Sequence, residues 1–359
     1  MKNLRRKSDL RAPLANRGAS KVTYTEIAVK LADSQTVHLV THVRGEADSA
    51  SVFALALALQ RLGTTVSSAH DLPEHLSWLL PSTAIPKDAA ADALFVALDT
   101  GNFGRLALDA DTRQQIASLI AEYGKEAAVP TERFRDLCAI DIVIDHHESN
   151  WGYGAVNLID AEASSTAEML TVLLQELERI TATPLFTEEI CQYLYTGIAS
   201  DTQWFKRDTS AGTYTAAAFL EAKVRIDKIG IAERLDTRSF GYFKLGQALR
   251  KNARSADGLI TSYLDLASLR EAGIPADEAA QMTEELERLP GRLFVLFVQL
   301  SPVEIRVRLR GRGVPVLELA RQFGGGGHEY RAGAVIAAEA DMDALLAAAR
   351  SLLAQTARP

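Results

Sequence analysis

Ile142-Val143-Ile144-Asp145-His146-His147 is an apolar run that ends in one carboxylate and two imidazoles. The run reads as a buried strand that delivers metal-grade ligands to its C-terminal end. In an open α/β sheet, ligands gather just beyond the carboxyl ends of parallel strands, so acidic residues one step past other apolar runs are expected in the same crevice. Three such places exist. They are His42-Val43-Arg44-Gly45-Glu46-Ala47-Asp48 after Val37 to Val40, Asp99 after Leu94 to Leu98, and Asp201 at the end of Leu194 to Ser200.

Around these points, short β-branched runs alternate with amphipathic helical ones from Val22 to about Asp201, the pattern of a parallel, doubly wound sheet. Strands are expected near Thr36 to Thr41, Thr64 to Ala69, Leu94 to Leu98 and Asp141 to Ile144. Ser49 to Leu62 keeps helical spacing and stops at Gly63, giving one βαβ unit. Further helices are expected after the cap Ser164-Ser165-Thr166-Ala167-Glu168 and from Thr187 toward Asp201. From about Lys206 to Asn252 the strand pattern vanishes and helical spacing continues. A second α/β pattern follows, with strands near Leu259 to Leu266, Leu293 to Leu300, Glu304 to Arg310 and Ala332 to Ala337. Its helices are expected at Ala276 to Arg288, Val314 to Phe323 and Met342 to Leu353. The expected architecture is therefore α/β: a basic, disordered tail (1–20), a domain with a doubly wound, mainly parallel sheet (21–206), a helical connector (207–252) and a smaller α/β domain (253–359).

The composition narrows the class. A chain of 359 residues fits two domains better than one core. At 47% hydrophobic it is a soluble globular type, and no run approaches the roughly 20 apolar residues that a membrane span needs. Met1 to Arg17 is basic but no apolar segment follows, so a secretory signal is not expected there. Cys138 and Cys191 are the only cysteines, both inside apolar segments, so core thiols in a reducing cytoplasm are expected. A net charge of −7 argues against a large duplex-binding surface, and any nucleic-acid partner is expected to be small.

His42, Glu46, Asp48, Asp99, His146, His147 and Asp201 form the ligand inventory of a two-metal site, with hard oxygens, a few imidazoles and no thiolate. The mix favours two Mn²⁺ ions, with Mg²⁺ as the alternative. Such a pair can polarise a phosphoryl group and activate a water, so phosphoester hydrolysis is the implied reaction. His38, His70 and His75 lack such a setting and are read as structural. In the smaller domain, Gly324-Gly325-Gly326-Gly327-His328 lies between a helix and a strand, inside a folded unit rather than a linker. Its backbone can approach a phosphate closely, with His328 as a donor or stacking ring. Arg308 and Arg310 alternate with Val307 and Leu309 and could supply a guanidinium fork, one of them being a solvated strand residue in the duller reading.

These motifs resemble the DHH phosphoesterase superfamily from about Val37 to Gly333. Asp145-His146-His147 is similar to the motif that names it, Asp99 followed by Arg105 to its second motif, and Gly197-Ile198-Ala199-Ser200-Asp201-Thr202 to its fourth. Leu309-Arg310-Gly311 and Gly324 to His328 with Ala332-Gly333 resemble the DHH-associated C-terminal domain of the branch containing bifunctional oligoribonucleases and 3′-phosphoadenosine-5′-phosphate (pAp) phosphatases. The resemblance implies metals on the larger domain and substrate held by the smaller. It makes His42, Glu46 and Asp99 ligands of one Mn²⁺, and Asp48, Asp99, His146 and Asp201 ligands of the other. Asp99, Asp145 and His147 become the catalytic group, and Arg105, Arg310, Gly325, Gly326, Gly327 and His328 the substrate-binding one. Short single-stranded RNA or a small nucleotide is the implied substrate and a homodimer the implied assembly. Phosphodiesterases for cyclic di-AMP or linear di-adenylate share the pattern, and a nucleotide-binding regulator is the alternative of another class. Gly45 and Glu46 stand where the family's first motif has Pro and Asp, which lengthens one ligand by a methylene.

Overall fold

Five segments of the N-terminal half form strands in the computed structural model, which describes residues 22–43, 47–70, 72, 74–124, 126–337 and 339–356. They are β1 (Thr36–Val40), β2 (Thr65–Ala69), β3 (Leu94–Leu98), β4 (Ile142–Asp145) and β5 (Val156–Ile159). All neighbours pair parallel, in the order β2-β1-β3-β4-β5. The strand order reverses between β1 and β3, so the crevice such a sheet offers to ligands lies beyond the carboxyl ends of β1, β3 and β4. The fold is α/β with a doubly wound sheet, as its alternating pattern implied.

The sheet is covered on both faces. Ile142 and Ile144 face one core with α1 (Tyr24–Ala32), α2 (Ala50–Arg61), α5 (Thr166–Thr181) and α6 (Glu188–Asp201). Val143 faces the other, with α3 (Ala110–Tyr123) and α4 (Thr131–Arg135). Alternate burial on two faces explains why β4 is apolar at every position before Asp145. Ile144 is fully buried, and truncating such a residue to Ala costs about 2–5 kcal/mol. The site is thus carried on a rigid floor. The expected strand Asp141 to Ile144 is shifted by one, to Ile142–Asp145, and the Asp141 carboxylate accepts the Phe95 amide beside it.

The chain divides into two compact units between Thr237 and Arg238. The stretch expected as a connector is helical but belongs to both. α7 (Ala211–Lys223) and α8 (Lys228–Asp236) bury Ala216, Ala217, Leu220 and Ile231 in the first core, while α9 (Phe240–Asn252) buries Leu245 and Leu249 in the second unit.

The second unit has a six-stranded mixed sheet formed by β6 (Arg254–Ala256), β7 (Leu259–Leu264), β8 (Leu293–Ser301), β9 (Glu304–Gly311), β10 (Gly326–His328) and β11 (Arg331–Ile336). Its order is β10-β11-β9-β8-β7-β6, with β7 and β8 the parallel pair. Their crossover contains α10 (Leu266–Ala272), α11 (Ala276–Ala279) and α12 (Thr283–Glu287). Along β8, Leu293, Val295 and Phe297 meet α13 (Leu317–Gln322) and α14 (Glu339–Thr356), while Phe294, Leu296 and Val298 meet α9 to α12. No helix of the described residues is long and apolar enough to cross a membrane. Residues 1–21, where the basic tail is expected, lie outside the described residues.

Candidate metal centre

The ends of β1, β3 and β4 deliver the central groups. His42 follows β1 and is held by a bridge to Leu106, with the Val43 amide on Arg105 O at 2.7 Å and the Ala107 amide on Thr41 O at 2.7 Å. Its Nδ1 lies 3.2 Å from Val43 O, an acceptor only, so Nδ1 carries a proton and Nε2 is the nitrogen that a cation would take in place of a proton. That Nε2 is 3.5 Å from Asp48 Oδ1, on the 3₁₀ turn Ala47–Ser49 that opens α2. Asp99 follows β3 with φ of 56°, a left-handed conformation that most residues avoid and that Asp tolerates better than most. Strained backbone of this kind concentrates at functional sites. The Asp99 amide bonds Ile144 O, and Thr166 at the start of α5 donates to Asp99 Oδ1 at 3.0 Å.

Asp145 is completely buried and accepts three bonds, from the His146 amide at 2.9 Å, His147 Nδ1 at 2.7 Å and Asn150 Nδ2 at 2.6 Å. A carboxylate with those partners orients rather than ligates. It sets the His147 tautomer with the proton on Nδ1 and leaves Nε2 for chemistry. Asn150 also donates to Thr100 O, and the buried Tyr153 hydroxyl donates to the same carbonyl, so the turn after Asp99 and the one after His147 are tied together. His146 Nε2 lies 3.5 Å from Asp99 Oδ1 and 3.9 Å from Asp201 Oδ2, at the C-terminal end of α6.

These positions yield two ligand triads, His42, Asp48, Asp99 and Asp99, His146, His147, each with donor atoms within 4.8 Å of one another. Asp99 belongs to both. Its second oxygen, Oδ2, is buried and accepts no hydrogen bond among the described residues, a costly state for a carboxylate that a cation would relieve. The donors are hard oxygens and imidazoles, so the residues fit a divalent ion. Electrostatics agree. Burial raises the pKa of Asp99, but His146, His147 and His42 outweigh it and hold the carboxyl below its ordinary value. Burial pulls His42 down, yet its hydrogen bond to Asp48 and the charges of Asp48 and Asp99 carry it up to about 9. His147 is likewise raised against burial, by Asp145 first and then Asp99 and Asp48.

Glu46 lies outside the described residues. Arg105 ends the 3₁₀ turn Phe103–Arg105 with its side chain exposed, and its charge reaches His42. Glu126 steadies this turn by accepting the Phe103 and Gly104 amides and Trp151 Nε1. The second unit holds the remaining expected residues. Arg306, Arg308 and Arg310 alternate on β9 opposite the buried Ile305, Val307 and Leu309, and Arg310 pairs in register with Arg331. The glycine run is more structural than expected. Gly324 and Gly325 donate their amides to Arg321 O and Ala320 O to end α13, so the Gly325 amide is not available to a phosphate. Gly326 to His328 form the edge strand β10 against β11. A Cβ on Gly325 would meet Gly333 O, and one on Gly327 would meet Arg331 O, so close backbone packing requires both glycines. Sequence reasoning missed Thr166, Asn150, Tyr153 and Glu126. Only Asn150 carried a signal, an amide residue three positions after His147.

An open α/β sheet with carboxylates and imidazoles gathered at its strand ends is the architecture of the DHH family. The description "DHH family, N-terminal domain" matches residues 36–198 and "DHHA1 domain" matches 256–355, and the chain belongs to this family. Among curated relatives, it is 28% identical over 310 residues to the bifunctional oligoribonuclease and PAP phosphatase NrnA of Thermus thermophilus, covering 84% of each chain. It is 27% identical over 243 residues to the protein of that name in Bacillus subtilis, covering 67% of this chain and 76% of the relative. In fold it is similar to an exopolyphosphatase-related protein from Bacteroides fragilis, with a TM-score of 0.71, 19% identity, and 92% and 96% of the two chains covered. RecJ from Thermus thermophilus, crystallised with Mn²⁺, has a TM-score of 0.52 and 17% identity, over 99% of this chain and 58% of RecJ.

Proposed function

We propose that the chain is a Mn²⁺-dependent phosphoesterase that releases mononucleotides from very short RNA and removes a phosphate from pAp. One observation carries the reading: two ligand triads share Asp99, whose buried Oδ2 has no hydrogen bond among the described residues. The names of the curated relatives support the substrates. His42, Asp48, Asp99, His146 and Asp201 hold two ions, with Glu46 completing the first set as the family resemblance implies. Bound there, divalent ions would polarise the phosphoryl group and lower the pKa of a water.

The residues of the chain do the rest. Asp145, braced by Asn150, holds His147 with Nε2 free to pass a proton to the leaving oxygen. Thr166 fixes the Asp99 carboxylate. Arg105 is assigned to the substrate phosphate beside His42. In the second unit, Arg310 takes a substrate phosphate or terminal nucleotide, together with His328 and the amides of Gly326 and Gly327. Homodimeric assembly belongs to the same proposal.

The test is a product-resolved assay in Mn²⁺ comparing pAp, RNA of two to about five nucleotides, a long single strand and cyclic di-AMP. Cleavage of the short RNA with phosphate release from pAp is expected. Turnover of cyclic di-AMP alone would move the assignment to a cyclic-dinucleotide phosphodiesterase, and tight nucleotide binding without turnover would move it to a regulator.

A further inference from the structure

Helix α9 has two unlike sides. Tyr242, Leu245 and Leu249 pack into the core of the second unit, while Phe240, Phe243, Lys244, Gln247 and Lys251 recur at i, i+3, i+4, i+7 and i+11 and are exposed. Polar residues normally take such a face. Here Phe240 is 71% and Phe243 59% exposed, and their rings stack with centroids 5.8 Å apart and 19° between planes. Lys244 Nζ lies 5.6 Å from the Phe240 ring, and the Arg238 guanidinium 5.7 Å from that of Tyr242. Between Arg238 and Arg254 the chain carries Arg238, Lys244, Arg250, Lys251 and Arg254 and no carboxylate, although the protein as a whole has a net charge of −7. Glu284 and Glu285 act on the Tyr242 hydroxyl, on the packed side of the helix.

We propose that this face of α9 binds single-stranded RNA, with bases stacked on Phe240 and Phe243 and phosphates met by Lys244 and Lys251. Paired aromatic platforms interleaved with cations suit a ligand that alternates flat rings and negative charge. A second copy of the chain fits poorly, because a two-fold contact would set this cationic segment against itself. A lipid surface fits poorly too, since two apolar side chains give little area to bury. In naming RNA rather than DNA, the inference rests on the function proposed above, but it does not involve the metal centre.

The experiment uses the full chain in EDTA, so that no cleavage occurs, with fluorescence anisotropy of an end-labelled RNA of about 12 nucleotides over a salt series. Phe240→Ala/Phe243→Ala is expected to weaken binding about 10-fold or more. Lys244→Glu/Lys251→Glu is expected to weaken it and to flatten the log–log salt slope by about 0.7 per lost phosphate contact. Absence of RNA binding by the wild type, or equal affinity in both variants, would overturn the proposal. So would a change of oligomeric state in light scattering, or loss of pelleting with phosphatidylserine vesicles, at unchanged RNA affinity. α9-dependent RNA binding in a chain that turns over no substrate would sink the hydrolase reading alone and leave this one standing.

Discussion

Replacing Asp99 with Asn is the most searching perturbation of the centre. Asn accepts a left-handed backbone about as readily as Asp, so the φ of 56° is kept, and its amide oxygen can still accept the Thr166 hydroxyl at the same place. Ala would add about 1–2 kcal/mol of left-handed backbone strain and leave the buried hydroxyl unpaired, mixing structural damage with the chemistry. Asn removes the charge alone. Because Asp99 belongs to both triads, affinity should fall at two sites together, by about 100-fold or more each, beyond the 10–100-fold typical of losing a group that merely supports a ligand. Turnover should fall about 1,000-fold or more, equivalent to roughly 4 kcal/mol of barrier. A second readout checks the electrostatics. Asp99 has a depressed pKa, so its ionised form contributes stability above the unfolded carboxyl pKa of about 4, and in EDTA at pH 7 the Asn variant should melt lower than the wild type. Titration calorimetry with Mn²⁺, turnover and thermal melts report the three effects. Loss of one ion with the other bound at wild-type affinity would refute the shared position of Asp99, and retention of both would refute the centre.

Asn150→Ala should lower kcat about 10-fold or more with Mn²⁺ stoichiometry unchanged, because Asp145 loses a partner at 2.6 Å and His147 its fixed orientation; a change confined to KM would contradict this. In metal-free protein, His42 has its pKa raised from 6.5 to about 9, so its contribution to stability is complete below about pH 6.5 and is lost as pH rises through 9. Urea midpoints in EDTA across that window should fall in the wild type and stay flatter in His42→Ala. Gly327→Ala places a Cβ against Arg331 O at a φ of 139°, so β10 should detach from β11, read as faster amide exchange there while β8 stays protected. Unchanged protection at β10 would show that the edge tolerates a side chain.

The sequence alone was enough to determine the α/β class, the boundaries of most strands and the polar residues at their ends. Val37 to Val40, Leu94 to Leu98 and Ile142 to Ile144 are buried runs, and burial selects residue types locally enough to be read along the chain. It did not disclose β5, whose Asn157 interrupts the apolar pattern and whose side chain turns back to bond Gly154. Nor did it assign roles within the centre. Asp145 and Asp99 look alike in sequence, each an acid at a strand end. Only the fold gives Asp145 three hydrogen bonds and leaves Asp99 one oxygen that accepts none among the described residues, between two ligand groups. The glycine run has a structural role for the same reason, because its partners lie on α13 and β11. Residue type decides which chemistry a side chain can perform. What it actually performs depends on which neighbours have already satisfied its atoms, and those neighbours are far away in sequence.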